Sequence, residues 1–478
     1  MKNQVKLIPL IIIVFLATVS WFMKPTAIDI HQWHTLVIFL ATIMGIVFNV
    51  MPIGAVGLTG VTAFAVTGAA GAASSKKAIM DALSGFDSYL IWLIVVAFFI
   101  AKGFIKTGLG RRIALILVKF LGKRTLGLVY GLSIADLILA PATPSNTARC
   151  GGVIYPIAKA LALSYDSQPE NESRKKVGTY LITCIGNVND ITATMFITAY
   201  AANPLIVQLA SSYGVDLTWG GWFLAAVGPA LISLILVPIA LFFIMKPEIT
   251  KTPEARTFAE SELAKMGKIT KDEIIMCFTF VGVLILWIFG KQLGIHSTST
   301  ALVGLSTLII TGVLTWDDIK GEKAAWDTFI WFSALLMMAG FLNSLGFTKW
   351  FGSAVGTELQ FMTSMHWILI LFVLNAIYTY IHYFFASGTA QVAALYAVFL
   401  GVGVQLGIPV YPLALMLGFS SSLYCSLTQY AHARGPILFG SGYVTTSEWW
   451  SSGFIINLMN QLIFIVIGLL WWKVIGLY

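Results

Sequence analysis

The residues with the clearest capacity for chemistry lie in Pro141-Ala142-Thr143-Pro144-Ser145-Asn146-Thr147-Ala148-Arg149, in the middle of a long apolar stretch. The two prolines stop an incoming helix, and Ser145 or Asn146 can cap an outgoing one. Non-helical backbone at membrane depth is tolerated only where protein or a polar cavity satisfies it, so this tip is expected to line a cavity. Its free N–H groups, at the positive end of the outgoing helix, suit an anion. The competing reading is a proline-kinked span whose hydroxyls are satisfied locally.

A second tip, Ser387-Gly388-Thr389, lies in Phe384-Phe385-Ala386-Ser387-Gly388-Thr389-Ala390-Gln391, with Gly388 standing where Asn146 stands in the first. Alone it reads as a small-residue helix contact; paired with the first it gains specificity. Two further segments place polar residues and glycine inside apolar spans. They are Cys184-Ile185-Gly186-Asn187-Val188-Asn189-Asp190 and Ser426-Leu427-Thr428-Gln429, continuing through His432 and Arg434 to Gly435-Pro436. Discontinuous spans of this kind put carbonyls and helix ends at a midplane site. Spacing ties the four together: Ser145 to Gly186 and Ser387 to Thr428 are both 41 residues. A cation near mid-membrane costs at least ~2.5–3.5 kcal/mol on insertion scales. Arg149 should therefore face a cavity or an anion, unless it snorkels or pairs with Asp136 or Asp190. Arg434, His382 and His432 are the basic groups of the second half, with exposure near a span end as the alternative. Asp190 can cap a helix restarting after its break, and Lys159 can snorkel.

The elements that must position these residues follow from composition. The chain has 478 residues, 58% hydrophobic and only 10% charged, with mean hydropathy +0.87. A soluble domain carries roughly 25% charged residues, so a membrane protein is the class that fits. Apolar runs near 5–23, 34–51, 53–70, 88–106, 177–202, 219–245, 272–290, 299–314, 328–346, 411–430 and 450–472 read as spans. Two stretches, 125–163 and 364–404, are about twice one span and broken in the middle, which fits re-entrant hairpins. The positive-inside rule supports that assignment. With Lys2 and Lys6 inside, Arg111, Arg112, Lys119, Lys123, Arg124, Arg174–Lys176, Lys246, Lys251, Arg256, Lys265, Lys268, Lys271, Lys320 and Lys323 all fall on the cytoplasmic side. The two hairpins then open to opposite sides, as in an inverted-topology repeat. The expected fold is an all-α integral membrane protein of about 11 transmembrane helices plus two re-entrant hairpins. Its parts are an N-terminal span and loop (1–33), a first repeat (34–245), a cytoplasmic linker (246–271) and a second repeat (272–478). Leu109, Ile113, Ile116, Leu117 and Phe120 form one face of a helix ahead of the first hairpin. Arg111, Arg112, Lys119 and Lys123 lie opposite, which suits a helix in the headgroup plane. The segment from Phe347 through Trp350, Phe351 and Val355 is its weaker counterpart.

Other classes drop out. The net charge of +8 is spread between apolar runs rather than along one soluble face, which argues against nucleic acid. The four cysteines have no metal-ligand spacing and read as buried free thiols. No GxxxxGK[ST] loop is present, and no HExxH, GxSxG or catalytic carboxylate pair, so neither ATP drive nor enzymatic hydrolysis is expected. No cofactor or metal is expected. Asn171-Glu172-Ser173 matches a glycosylation sequon but falls on the cytoplasmic side. The N-terminal run has no small-x-small cleavage site and reads as an uncleaved first span.

Pro144-Ser145-Asn146-Thr147-Ala148-Arg149 with the following Gly-Gly-Val-Ile-Tyr-Pro-Ile run resembles the divalent-anion/sodium symporter (DASS) superfamily. The closest likeness is to its branch of 2-oxoglutarate/malate translocators and citrate/succinate/tartrate antiporters. His382-Tyr-Phe-Phe-Ala-Ser387, Ser426-Leu-Thr428-Gln429-Tyr, and Gly440-Ser-Gly-Tyr443 with Trp449-Trp450 extend the resemblance over nearly the whole chain. It implies a homodimer with scaffold and transport domains that moves substrate by an elevator motion. In sodium-coupled members a Ser-Asn-Thr motif at each tip binds substrate carboxylates, and the tips with the facing breaks hold sodium. Carried over, Ser145, Asn146, Thr147, Ser387, Gly388 and Thr389 would contact substrate, with Gly186, Asn187 and Thr428 beside the former cation positions. Arg149, Gln429, His432 and Arg434 complete the candidate substrate-binding set. Gly388 lacks the second Asn amide, and a hard cation needs several oxygens. Arg149, His382, His432 and Arg434 would supply fixed positive charge instead, leaving an empty site cationic and costly to move. The expectation is sodium-independent exchange of C4–C5 dicarboxylates (2-oxoglutarate, malate, succinate) across a bacterial plasma membrane, with the N-terminus cytoplasmic. The alternatives are a sodium-coupled di/tricarboxylate symporter, an anion channel or a membrane enzyme.

Overall fold

The computed structural model describes residues 5–478; Lys2, part of the charge reading above, lies outside the described residues. Helices occupy the expected positions. Among the described residues nine are long and apolar enough to cross a membrane, and Leu7–Phe22, Ile53–Thr67, Ser297–Ile310 and Val410–Ser426 are shorter apolar helices. No strand forms among the described residues; the one extended pairing is an isolated bridge between Arg124 and Lys251. In hydrocarbon a helix satisfies its own backbone, which is why the apolar runs take this form.

The two interrupted stretches fold alike, and the likeness extends to local geometry. Helix Thr125–Leu139 passes through a 3-10 turn, Ala140–Ala142, into a non-helical tip; the chain resumes as a helical turn, Asn146–Arg149. A π-turn, Cys150–Ile154, and helix Tyr155–Ser164 complete the second arm. In the other half the order is Trp367–Tyr380, 3-10 turn Ile381–Phe384, tip, Gly388–Gln391, π-turn Val392–Tyr396 and helix Ala397–Gln405. A single offset of 242 residues relates them: 125 to 367, 145 to 387 and 150 to 392. The arms of each stretch pack on one another.

The helix Leu109–Leu121 starts after Gly108, whose φ of +76° turns the chain sharply at the end of Tyr89–Thr107. It does not present its basic face to headgroups alone. The linker folds into helix Glu254–Met266, which packs along it and pairs Glu262 with Arg111 and Glu260 with Lys119. Just beyond, Glu273 grips the buried Arg112 with both carboxylate oxygens, at 2.6 and 3.1 Å. Leu109, Leu115 and Val118 of this helix are buried, while Ile116 and Phe120 are exposed. Three of the cysteines are buried and free, whereas Cys277, expected to be buried, is free and exposed.

Candidate functional site

At the first tip the sequence dictates the geometry closely. Pro144 pushes the residue before it out of the helical region, and Thr143 is extended (φ −127°, ψ 91°). Ser145 is also extended and caps the second arm, its hydroxyl accepting from the Ala148 N–H at 3.1 Å. Ser387 repeats this cap at the second tip, accepting from the Ala390 N–H at 3.3 Å.

The breaks are placed differently from the sequence expectation. Residues 184–190 do not interrupt their span: Gly178–Met195 is one continuous, fully buried helix. The interruption comes later, with Phe196 and Tyr200 extended on either side of a 3-10 turn, before helix Asn203–Ser211. Asn203 braces this break by donating to the carbonyls of Ala193 (2.8 Å) and Phe196 (2.9 Å). In the second half, helix Val410–Leu423 ends in a 3-10 turn at Tyr424–Ser426 and irregular chain reaches Gly435. The equal 41-residue intervals therefore do not mark equivalent breaks.

Arg149 is buried and fully engaged. Its Nε lies 3.1 Å from Asp136, Nη1 donates to the carbonyls of Thr143 (2.9 Å) and Ala199 (3.2 Å), and Nη2 donates to Thr192 Oγ1 (3.2 Å). The guanidinium thus ties the first tip to the first break and is neutralised by Asp136. Arg434 is likewise buried, pairing with Asp190 through Nη2 and with Asn189 Oδ1 through Nη1 (3.2 Å). Asn189 joins the two pairs, since its amide nitrogen donates to both oxygens of Asp136 at 3.1 Å. The result is one buried network, Arg149–Asp136–Asn189–Arg434–Asp190, with two positive and two negative members. The fixed surplus of positive charge expected from the arginines is cancelled by these carboxylates.

The histidines differ from one another. His382 Nδ1 lies 2.6 Å from Gln391 Oε1 and Nε2 lies 3.2 Å from the Ala431 carbonyl. The Gln391 amide is oriented by its nitrogen donating to the Tyr378 carbonyl (2.6 Å). Both ring nitrogens therefore face acceptors. A neutral imidazole can donate to one of them, and a protonated ring to both. His432 Nδ1 faces the Arg434 N–H and the Thr147 hydroxyl, each at 3.3 Å, which are donors suited to an unprotonated nitrogen.

The structure brings both tips to the second break. Thr147 reaches His432, while the Tyr424 hydroxyl donates to the Gly388 carbonyl at 3.0 Å. Ser145, Thr147, Ser387, Thr389, Gln429 and His432 retain partial exposure; Asn146, Gly388 and Thr428 are buried. The Asn146 amide nitrogen, Thr428 hydroxyl, Arg434 Nε and Tyr200 hydroxyl are buried without a hydrogen-bond partner. Other candidates lie apart from the tips. Gly186 and Asn187 line a small void with Ser426, Arg434 and Trp449, and Asn187 donates to Thr183 of its own helix. Gln429 accepts from the Trp450 indole at 2.7 Å. Sequence reasoning missed Tyr200, Ala199 and the bridging role of Asn189. Asn203-Pro204, a helix start after a short apolar run, is the signal that could have located the first break. Among the described residues no cluster of three or more metal-ligating side chains forms.

A chain that is helical throughout its described residues, with paired tips and broken helices converging on buried polar groups, has the architecture of a multi-pass membrane transporter. Residues 4–478 match the family described as the Sodium:sulfate symporter transmembrane region, and the chain belongs to that family, within the DASS superfamily. It is 46% identical over 479 residues to YflS of Bacillus subtilis (strain 168), a protein named for malate transport, covering 100% of this chain and 98% of the relative. It is 41% identical to dicarboxylate transporter 2, chloroplastic, of Spinacia oleracea, covering 100% and 84%. Two solved transporters share the fold. They are YdaH of Alcanivorax borkumensis (TM-score 0.55, 12% identity, 98% of each chain) and MtrF of Neisseria gonorrhoeae (TM-score 0.56, 13% identity, 97% and 99%).

Proposed function

We propose that this protein exchanges C4–C5 dicarboxylates such as 2-oxoglutarate, malate and succinate across a bacterial plasma membrane, without sodium coupling. The observation that carries the reading is the Arg149 guanidinium between the Thr143 carbonyl of the first tip and the Ala199 carbonyl of the first break. A protein cation there serves oxygens that a metal cation would otherwise coordinate. In the second half the uncharged or protonated ring of His382 lies beside the Ala431 carbonyl of the facing break, so only Arg149 is a fixed cation at such a carbonyl. The names of the relatives, malate and dicarboxylate transporters, support the substrate class.

Exchange follows from unsatisfied polarity rather than from charge. With the arginines neutralised, the empty site is not a naked cation. It does hold three buried polar groups without a formed hydrogen bond, at Asn146, Thr428 and Tyr200, each disfavoured in a low-dielectric interior until a ligand or water serves it. A dicarboxylate supplies acceptors for the donors among them, so the loaded carrier moves more readily than the empty one. Ser145, Asn146, Thr147, Ser387, Gly388, Thr389 and Thr428 form the substrate-facing set, with His432 bridging tip and break. Arg149 and Arg434 position them from behind. In this reading the protein works as a homodimer by an elevator motion, its N-terminus cytoplasmic.

The family's description favours a second reading, sodium-coupled symport of di- or tricarboxylates. Substrate class is tested by counterflow of labelled succinate into proteoliposomes loaded with succinate. Malate and 2-oxoglutarate should compete at least tenfold more strongly than sulfate. Equal or stronger competition by sulfate would contradict the dicarboxylate assignment, and conductance without any counter-substrate would indicate a channel.

A further inference from the structure

We propose that the Tyr200 hydroxyl is a substrate-carboxylate ligand, occupying the space that a side chain at position 388 would otherwise fill. The assignment rests on the dicarboxylate reading above and deepens it.

Three observations converge on this residue. Tyr200 is extended (φ −144°, ψ 133°) where the first break leaves its 3-10 turn, and its side chain reaches Gly388 and His432 of the second half. A Cβ built on Gly388 would lie well inside contact distance of the Tyr200 hydroxyl, and 3.0 Å from Cys425 Sγ. Gly388 is thus a glycine because the phenol needs the room, not because the tip needs left-handed backbone; its φ is not positive. Finally, the hydroxyl adjoins Thr389 and the Cys425 thiol without a well-formed hydrogen bond to either, and the residue is only 2% exposed.

A buried phenol normally finds a partner. This one stops at the second tip, with its ring 5.6 Å from that of His432, which itself contacts Thr147 of the first tip. It is therefore placed beside the partly exposed Thr389 of the second tip and His432, which links it to Thr147 of the first. An O–H donor at that place suits a carboxylate oxygen, with a charge-assisted hydrogen bond as the product. The exchange of an asparagine amide on the tip for a tyrosine hydroxyl from the opposite half alters the ligand's character. An Asn offers a strongly accepting carbonyl oxygen and two N–H groups, whereas the phenol offers one O–H donor and a weaker acceptor oxygen. That difference favours an anion over a metal cation at the second tip.

The test uses the full-length transporter in detergent, with Kd for succinate and malate measured by calorimetry alongside the thermal unfolding midpoint. Tyr200→Phe removes only the hydroxyl. It should weaken binding of both acids about 10- to 100-fold without lowering the midpoint. Gly388→Ala should weaken binding by displacing the phenol, and in the Tyr200→Phe background it should cost much less than in the wild type, because the two share one space. Unchanged Kd in Tyr200→Phe would overturn the ligand role, and additive effects of the two substitutions would overturn the shared space. If Tyr200→Phe unfolds, the Gly388→Ala result and its folded midpoint decide: unchanged affinity there overturns the proposal. A wild-type protein that binds neither these acids nor 2-oxoglutarate would overturn the substrate reading and this assignment with it.

Discussion

Replacing Arg149 by Ala should destabilise the protein by about 3–5 kcal/mol and abolish transport, because Asp136 is left buried and uncompensated. The carboxylate keeps its hydrogen bonds from Asn189 and Thr192, but these do not neutralise it. The two carbonyls of Thr143 and Ala199 lose their donor as well. Removing the charge pair together, as Arg149→Met with Asp136→Leu, should recover much of the stability, since paired buried charges can be replaced by apolar groups at little net cost. Transport should not return, because the tip is no longer tied to the break. Thermal unfolding in detergent and counterflow separate the two effects. Were Arg149 instead a direct substrate ligand, the Ala variant would keep wild-type stability and lose only affinity.

Asn189→Asp is the second large effect, and it is nearly isosteric. The native amide is used from both ends, its nitrogen toward Asp136 and its oxygen toward Arg434. A carboxylate would still serve Arg434 but would set two like charges about 3 Å apart at Asp136, where the protein already buries a second carboxylate at Asp190. Counterflow should fall more than 100-fold. Asn189→Leu, which removes all three side-chain hydrogen bonds without adding charge, should be milder in transport yet still lose about 2–4 kcal/mol of stability. Equal activity of wild type and Asn189→Asp would show that the two ion pairs act independently.

How far the sequence reveals this arrangement depends on whether a signal is local. The tips were legible because Pro141, Pro144, Ser145 and Ser387 act on the backbone beside them, and a proline or an N-cap works within one turn. The first break was not. Gly186, Asn187, Asn189 and Asp190 have the composition of an interruption, yet they lie in continuous helix, with Asn189 and Asp190 finding partners on other segments. Asn187 bonds within its helix, Asn189 reaches Asp136 and Arg434, and Asp190 pairs with Arg434. Tertiary pairing overrides their weak helix propensity. The real break at Phe196-Ile197-Thr198-Ala199-Tyr200 is almost wholly apolar, so hydropathy carries it as span. Its stabilising contacts, Thr198 to the Pro141 carbonyl and Asn203 to two carbonyls, depend on chain crossing that no window of sequence displays. The charge state of the site was misjudged for the same reason. Arg149 and Asp136 are only 13 residues apart, but a tip lies between them, and Arg434 meets Asp190 from 244 positions away.

The central claim is that a protein cation, Arg149, stands where a coupling metal would. The most direct test is labelled succinate uptake into proteoliposomes, loaded with malate or left empty, with external sodium either present or replaced by choline. Uptake should require internal malate and proceed at the same rate in sodium and in choline. Accumulation in empty vesicles driven by an inward sodium gradient would contradict it.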